Sequence, residues 1–187
     1  MGLAADVLTS TRAFLAVGLA VMLAQGRLGW AAVGLSLAWI TDLADGRLAR
    51  AAREPTRLGD WDFRADVAVG AGVMAGLIIH GYLPRPLATG LLALLVGGFL
   101  VLRNPALGMS LQAIAYAAFG WRLWTDSVDT RWIPFVVAAT IGVLEWRRLF
   151  GEQIPAFFNG WGRAVQLRRG TDYRFPRRDR GTERRSP

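Results

Sequence analysis

Four aspartates have types and spacing that suit chemistry. Asp42 and Asp45 close one apolar stretch, in Thr41-Asp42-Leu43-Ala44-Asp45-Gly46-Arg47-Leu48-Ala49-Arg50. Asp62 and Asp66 open the next, in Gly59-Asp60-Trp61-Asp62-Phe63-Arg64-Ala65-Asp66. Three and four residues apart on helices, each pair projects from one face, and two such pairs on adjacent antiparallel helices can converge. Crowded carboxylates repel one another unless a divalent cation neutralises them, and hard oxygen donors suit magnesium, manganese or calcium. There is no cysteine and the single histidine, His80, falls toward the other end of the third stretch, so a zinc site is not expected. Gly46 and Ala49 leave room for close approach of a ligand, Gly59 permits a tight turn, and Arg50 can pair with phosphate oxygens. Together these residues point to a phosphate-bearing substrate. Simpler roles exist for single acids: Asp60 or Asp62 as a helix N-cap, Asp42 or Asp45 as partner of Arg12, Arg50 or Arg57. Capping alone does not call for Gly46, Ala49 and Arg50 as well.

The elements that must position these acids are apolar helices. The 187-residue chain is 53% hydrophobic, more than one ordinary soluble core accommodates. A helix needs about 17–25 mostly apolar residues to cross a bilayer. Six stretches qualify as candidates, approximately residues 8–25, 30–45, 65–83, 86–102, 105–124 and 132–149. Breakers or charges separate them, including Gly26-Arg27, Pro84-Arg85-Pro86 and Asn104-Pro105. Trp30, Trp124 and Trp132 stand at stretch ends, where indole favours the headgroup layer.

All 22 basic residues are arginine. With the N-terminus in the cytoplasm, Arg12, the arginines from Arg47 to Arg64, Arg103, Arg147, Arg148 and those from Arg163 onward share the cytoplasmic side. Only Arg27, Arg85, Arg122 and Arg131 face the other. This is the positive-inside pattern for an even number of spans, and it makes the net charge of +8 a topology signal, with no nucleic-acid partner expected. The fold class predicted is an all-α, polytopic membrane protein with six transmembrane helices. It comprises a catalytic domain at 1–155 and a basic cytoplasmic tail at 156–187, predicted to be disordered and drawn to anionic headgroups.

Asp42-x-x-Asp45-Gly46-x-x-Ala49-Arg50, eight residues, Gly59, then Asp62-x-x-x-Asp66 resembles the signature of the CDP-alcohol phosphotransferase family, D-x-x-D-G-x-x-A-R, eight or nine residues, G-x-x-x-D-x-x-x-D. The first nine positions match in full; the step from Gly59 to Asp62 is one residue shorter than in the family. Leu8-Thr9-Ser10-Thr11-Arg12 is similar to the L-T-x-x-R that often opens the family's first helix. The resemblance implies attack of an acceptor hydroxyl on a CDP-activated phosphate, with CMP leaving. It also implies a magnesium or manganese centre of two ions held by Asp42, Asp45, Asp62 and Asp66, with Asp66 as general base, and a CDP site at Gly46, Ala49, Arg50 and Gly59. Arg12, Arg64 and Arg103 are candidate contacts to the acceptor or a phosphate, although interface snorkelling explains Arg12 at least as well, plain topology explains Arg103 better, and Arg64 has Asp60 as an alternative partner. Ser110 and Gln112 are polar on the fifth helix, where relatives often face polar groups to the site; hydrogen bonding between helices accounts for them too.

The reading is a phospholipid-synthesising enzyme in a bacterial cell membrane, homodimeric by resemblance, its site facing the cytoplasm. The donor is CDP-diacylglycerol and the acceptor a small alcohol or polyol phosphate, glycerol 3-phosphate first and inositol phosphate second. A CDP-choline or CDP-ethanolamine phosphotransferase shares the same signature. A cation-coupled transporter and an inactive scaffold are the other classes left open.

Overall fold

A computed structural model describes residues 2–51, 59–126 and 128–166. Within them every regular element is helical. In chain order these are α1 (Gly2–Ala24), α2 (Leu28–Ala51), α3 (Gly59–His80), α4 (Arg85–Leu102), α5 (Pro105–Thr125), a 3₁₀ turn (Asp129–Arg131), α6 (Trp132–Leu144), the single turn α7 (Trp146–Arg148), a π-helical turn (Leu149–Gln153) and α8 (Ile154–Gln166).

Helices α1 to α6 occupy the six predicted stretches, with differences at their ends, among them a start of α1 at Gly2 rather than near residue 8. The acid-bearing helix α2 runs on to Ala51, so Asp42 through Arg50 lie on continuous helix. Gly59 is the first residue of α3 rather than part of a separate turn. The regular α-helix of α6 stops at Leu144, where the backbone of Glu145 departs from helical geometry, and a π turn follows. The segment beginning at 156, predicted as disordered, starts as helix to Gln166, because an apolar stripe of Phe157 and Trp161 gives it something to pack; 167–187 lie outside the described residues.

The connections follow from local chemistry. Gly26 (φ 73°) and Gly81 (φ 92°) take left-handed backbone after α1 and α3. Between α4 and α5 the left-handed position falls on a non-glycine, Arg103 (φ 49°). Asn104 then caps α5 by accepting from the amide of Ala106 at 3.0 Å, with Pro105 at the first helical position.

The core lies where α1 packs against α2 and α3 and where α5 closes over α3. Leu19, Leu23, Leu35, Val73, Leu77, Leu111, Phe119 and Leu123 are fully buried in it. Close approach of α1 and α3 depends on Gly72 and Gly76, one turn apart. A side chain at Gly72 would run into the carbonyl of Ala16, and one at Gly76 into Leu23 and the carbonyl of Ala20. Small residues four apart are the usual means of close helix packing where burial of apolar surface gives little driving force.

The outside of the bundle is apolar as well. Phe14, Val17, Leu87, Leu94, Leu100, Val101, Val136 and Val143 all point outward. Two segments among the described residues, Phe63–His80 and Arg85–Leu102, are long and apolar enough to cross a membrane by length and composition. Thr11–Ala24 and Leu28–Ala44 are shorter apolar stretches. Only 11% of the Arg85–Leu102 segment is buried inside the bundle, so its hydropathy serves its surroundings rather than a protein core.

Candidate active site

The register of α2 and α3 brings the acids to one end of the bundle. Asp42 sits in the last turns of α2 and Asp66 in the second turn of α3, 24 residues apart in sequence yet sharing one cation. That cation is Arg12 of α1. Its Nη1 donates to Oδ1 of Asp42 at 2.7 Å and to Oδ1 of Asp66. The Arg12 side chain is 1% exposed, Asp66 27% and Asp42 49%, so the guanidinium forms the floor and the carboxylates rise toward the opening. Burying an arginine is costly unless its charge is met, and here two acids meet it. One side chain thus joins three helices.

Around this trio a small pocket is lined by Ala38 and Trp39 of α2, Val69 of α3, and Gln112 and Tyr116 of α5. Trp39 and Tyr116 meet edge to face at 5.3 Å, a favourable aromatic geometry that braces α2 against α5. Gln112 is held close by Gly70, at which any side chain would collide with it. A larger cleft of about 470 Å³ opens beside the same acids, walled by Leu43, Phe63, Met109, Gln112, Ile141, Gly142, Glu145, Leu149 and Gln153. Its walls come from α2, α3, α5, α6 and the π turn, and π turns recur at functional sites.

Several predicted residues are brought together and others are not. Arg12, Asp42 and Asp66 meet. Asp45 and Gly46 follow Asp42 on α2, with Ala49 and Arg50 one turn further, and Asp62 precedes Asp66 by one turn on α3, so all lie at the same end of the bundle. The side chains of Asp45, Ala49, Arg50 and Asp62 lie outside what the structure describes. Arg64 and Arg103 are exposed and line neither the pocket nor the cleft. Ser110 faces away from the acids: its hydroxyl donates to the carbonyl of Ala106 at 2.8 Å and accepts from the indole of Trp161 at 3.1 Å. Gln112 is the polar α5 residue that reaches the site.

Sequence reasoning missed Trp39 and Tyr116, and gave Glu145 a local or interfacial role rather than a place in the cleft wall. Trp39 precedes Asp42 by one turn and Tyr116 follows Gln112 by one turn, so helical periodicity from the acids outward contained the signal. Glu145 was legible only as an acid at a helix end.

The donor chemistry fits a divalent metal. Asp42 and Asp66 offer hard oxygen atoms from facing helices, close enough to share one cationic group, and helical register adds Asp45 and Asp62 one turn away on each helix. Among the described residues no group of three or more acids, histidines or cysteines gathers into a metal site; the pair shown is half of the predicted set.

The sequence profile of the CDP-alcohol phosphatidyltransferase family matches residues 2–146. The match spans α1 through α6 and contains Arg12 and all four aspartates, and the chain belongs to this family. Its members are phosphotransferases that carry a phosphatidyl-type group from a CDP-alcohol to an alcohol acceptor. They are generally integral to membranes and generally need a divalent metal. No curated protein and no solved structure matches the chain.

Proposed function

We propose that this chain is a six-span membrane enzyme of phospholipid synthesis that transfers the phosphatidyl group of CDP-diacylglycerol to a small alcohol or polyol phosphate. Glycerol 3-phosphate is the first acceptor and inositol phosphate the second. The observation that carries this reading is the meeting of Asp42 and Asp66, from facing helices, at the edge of a cleft between α2, α3, α5 and α6.

In this reading Asp42, Asp45, Asp62 and Asp66 hold two divalent ions, magnesium or manganese. When bound, these ions neutralise the diphosphate and stabilise the leaving oxygen. Gly46, Ala49, Arg50 and Gly59 seat the CDP group. The Asp66 carboxylate accepts the proton of the acceptor hydroxyl as its oxygen bonds to the lipid-side phosphorus; the bond from that phosphorus to the bridging oxygen breaks, and CMP leaves with the electron pair. Arg12, buried beneath the carboxylates, orients them; Arg64 and Arg103, the other candidate contacts to acceptor or phosphate, stand exposed outside the pocket and the cleft and would reach only a ligand that extends beyond both. Trp39 and Tyr116 close the small pocket, and Gln112 offers a neutral hydrogen-bonding group to whatever enters.

With six spans, the acids lie at the cytoplasmic boundary of a bacterial cell membrane, where water-soluble CMP and acceptor exchange while acyl chains stay in lipid. The outward apolar side chains of α1, α4 and α6 support that embedding. The enzyme acts as a homodimer.

The test is CMP release by the full-length protein in detergent with CDP-diacylglycerol, with and without magnesium or manganese, across glycerol 3-phosphate, inositol phosphate, serine and inositol, alongside Asp66→Asn. Metal-dependent release stimulated by one acceptor and abolished in Asp66→Asn is the expected result. Release indifferent to Asp66, or none with any acceptor, overturns it and favours a CDP-choline-type donor, a scaffold or a transporter.

A further inference from the structure

Helix α8 is unlike the long helices α1 to α6. Its apolar residues Ile154, Phe157, Phe158, Trp161 and Val165 fall within one stripe, while Ala156, Asn159, Arg163 and Gln166 fall opposite. It is docked on the start of α5 by two directional contacts. The Asn104 side-chain amide donates to the carbonyl of Gly160 at 3.1 Å, and the Trp161 indole donates to Ser110 at 3.1 Å. Gly160 is pressed so close that a side chain there would strike Ala106. These contacts fix the rotation of α8, and in that rotation Phe158 is left 67% exposed and Trp161 half-exposed, with Trp146 and Phe150 exposed on the turns just before.

A single outward aromatic needs no explanation, but an amphipathic helix with its aromatic stripe half uncovered has the composition of an interfacial helix. Charge identifies what lies against it. From Arg163 to the C-terminus the sequence carries nine arginines against Asp172, Asp179 and Glu183, a balance complementary to anionic phospholipid headgroups. The turn that leads into α8 supplies Leu149 and Gln153 to the wall of the acid-lined cleft, so whatever holds α8 also holds that wall.

We propose that α8 lies in the headgroup layer of the membrane face that carries the acids, with Phe158 and the exposed edge of Trp161 dipping toward the acyl chains, at a surface whose anionic headgroups complement the excess of arginine in the sequence from Arg163 onward. The cleft wall at Leu149–Gln153 is thereby anchored to the surface from which lipid enters. This inference rests on bilayer embedding, which is general to the family, and not on the identity of donor or acceptor.

The absence of cysteine permits the test in the full chain. Phe158→Cys and Ala156→Cys are spin-labelled singly and placed in nanodiscs of phosphatidylcholine, with and without phosphatidylglycerol. Both positions are exposed in the protein, so only a lipid surface distinguishes them. The expected result is an accessibility ratio of oxygen to a water-soluble nickel reagent several-fold higher at 158 than at 156. That ratio rises when phosphatidylglycerol is present and loses this rise in Arg168→Gln/Arg169→Gln. Equal water accessibility at both positions overturns the proposal. So does shielding of 158 from both reagents, which marks a protein contact, and so does a ratio that ignores phosphatidylglycerol. CMP release is not the readout, so failure here leaves the proposed reaction untouched.

Discussion

An arginine ties helices together at each end of the bundle, and the two are held by opposite chemistry. At the far end Arg122 of α5 donates from Nε and Nη2 to the carbonyl of Tyr82, at 3.2 and 2.6 Å, with its guanidinium 5.2 Å over the Tyr82 ring. His80 completes that end, its Nδ1 3.2 Å from the carbonyl of Ala24 and its ring against Tyr82. At the site end Arg12 is bound by two carboxylates. A neutral carbonyl and a ring meet an arginine's need without adding charge, so the far end is complete as structure. Two anions drawn onto one buried cation are more than packing requires, and their excess of oxygen donors faces an open cleft. The difference teaches that an arginine bridging elements by itself says little, and that the charge of its partners separates a strut from a site.

The largest effect that would sharpen this contrast is on turnover. Asp66→Asn keeps the size of the side chain and removes the carboxylate, and CMP release falls about 10²–10⁴-fold while the protein still purifies as a folded species. Retained turnover would make the acids structural after all. Arg12→Leu tests the other half of the trio. It leaves two carboxylates against each other with no cation from α1, a loss of roughly 1.5–3 kcal/mol that appears as a lowered melting temperature in detergent. Arg12→Lys recovers part of it, since an ammonium restores the charge without the planar fork. A normal melting temperature for the Arg12→Leu protein breaks the comparison from its site end.

A smaller effect is expected at the far end. Arg122→Gln weakens the hydrogen bonds to Tyr82, and the position is partly exposed, so the loss is about 1.5 kcal/mol. Turnover per folded molecule stays at the wild-type level, measured as CMP release normalised to the folded fraction. A fall in turnover out of proportion to folding would show that the far end bears on catalysis.

Much of the fold was legible in the sequence, for a physical reason. The acid spacing, the helix-compatible apolar stretches and the breakers between them are local properties, and they gave the six helices and placed the four aspartates at one end. The pairing of Arg12 with Asp42 was among the simple roles the sequence offered, but its sharing with Asp66 was not legible. That sharing depends on α1 crossing α2 and α3 closely, which in turn depends on Gly72 and Gly76 admitting the backbone of Ala16 and Ala20, and no spacing within Leu8–Arg12 encodes that. The same holds for α8. Its arginines read as a disordered tail, while the contacts that make it a helix, Asn104 with Gly160 and Ser110 with Trp161, span 56 and 51 residues.

The smallest effect is electrostatic and confined to the turn between α3 and α4. Burial pushes the Tyr82 phenol above its usual range, the carboxylate of Asp126 raises it further, and the Arg122 guanidinium pulls it back. A phenol whose folded pKa is raised holds its proton longer in the folded state. Its contribution to stability is therefore present below the ordinary tyrosine value of about 10 and is lost as pH climbs through the elevated one. Asp126→Asn removes one raising influence, so the Tyr82 titration, followed by ultraviolet absorbance as the difference from Tyr82→Phe, moves down; Arg122→Gln moves it up. CMP release at neutral pH is the same in Asp126→Asn as in the wild type, because the phenol is protonated in both and the acids at the other end of the bundle do not sense the change. A titration that ignores Asp126 would leave burial and Arg122 as the influences on Tyr82, and a turnover that follows Asp126 would mean that the two ends are coupled along α5, the helix that carries Arg122 at one end and Gln112 and Tyr116 toward the other.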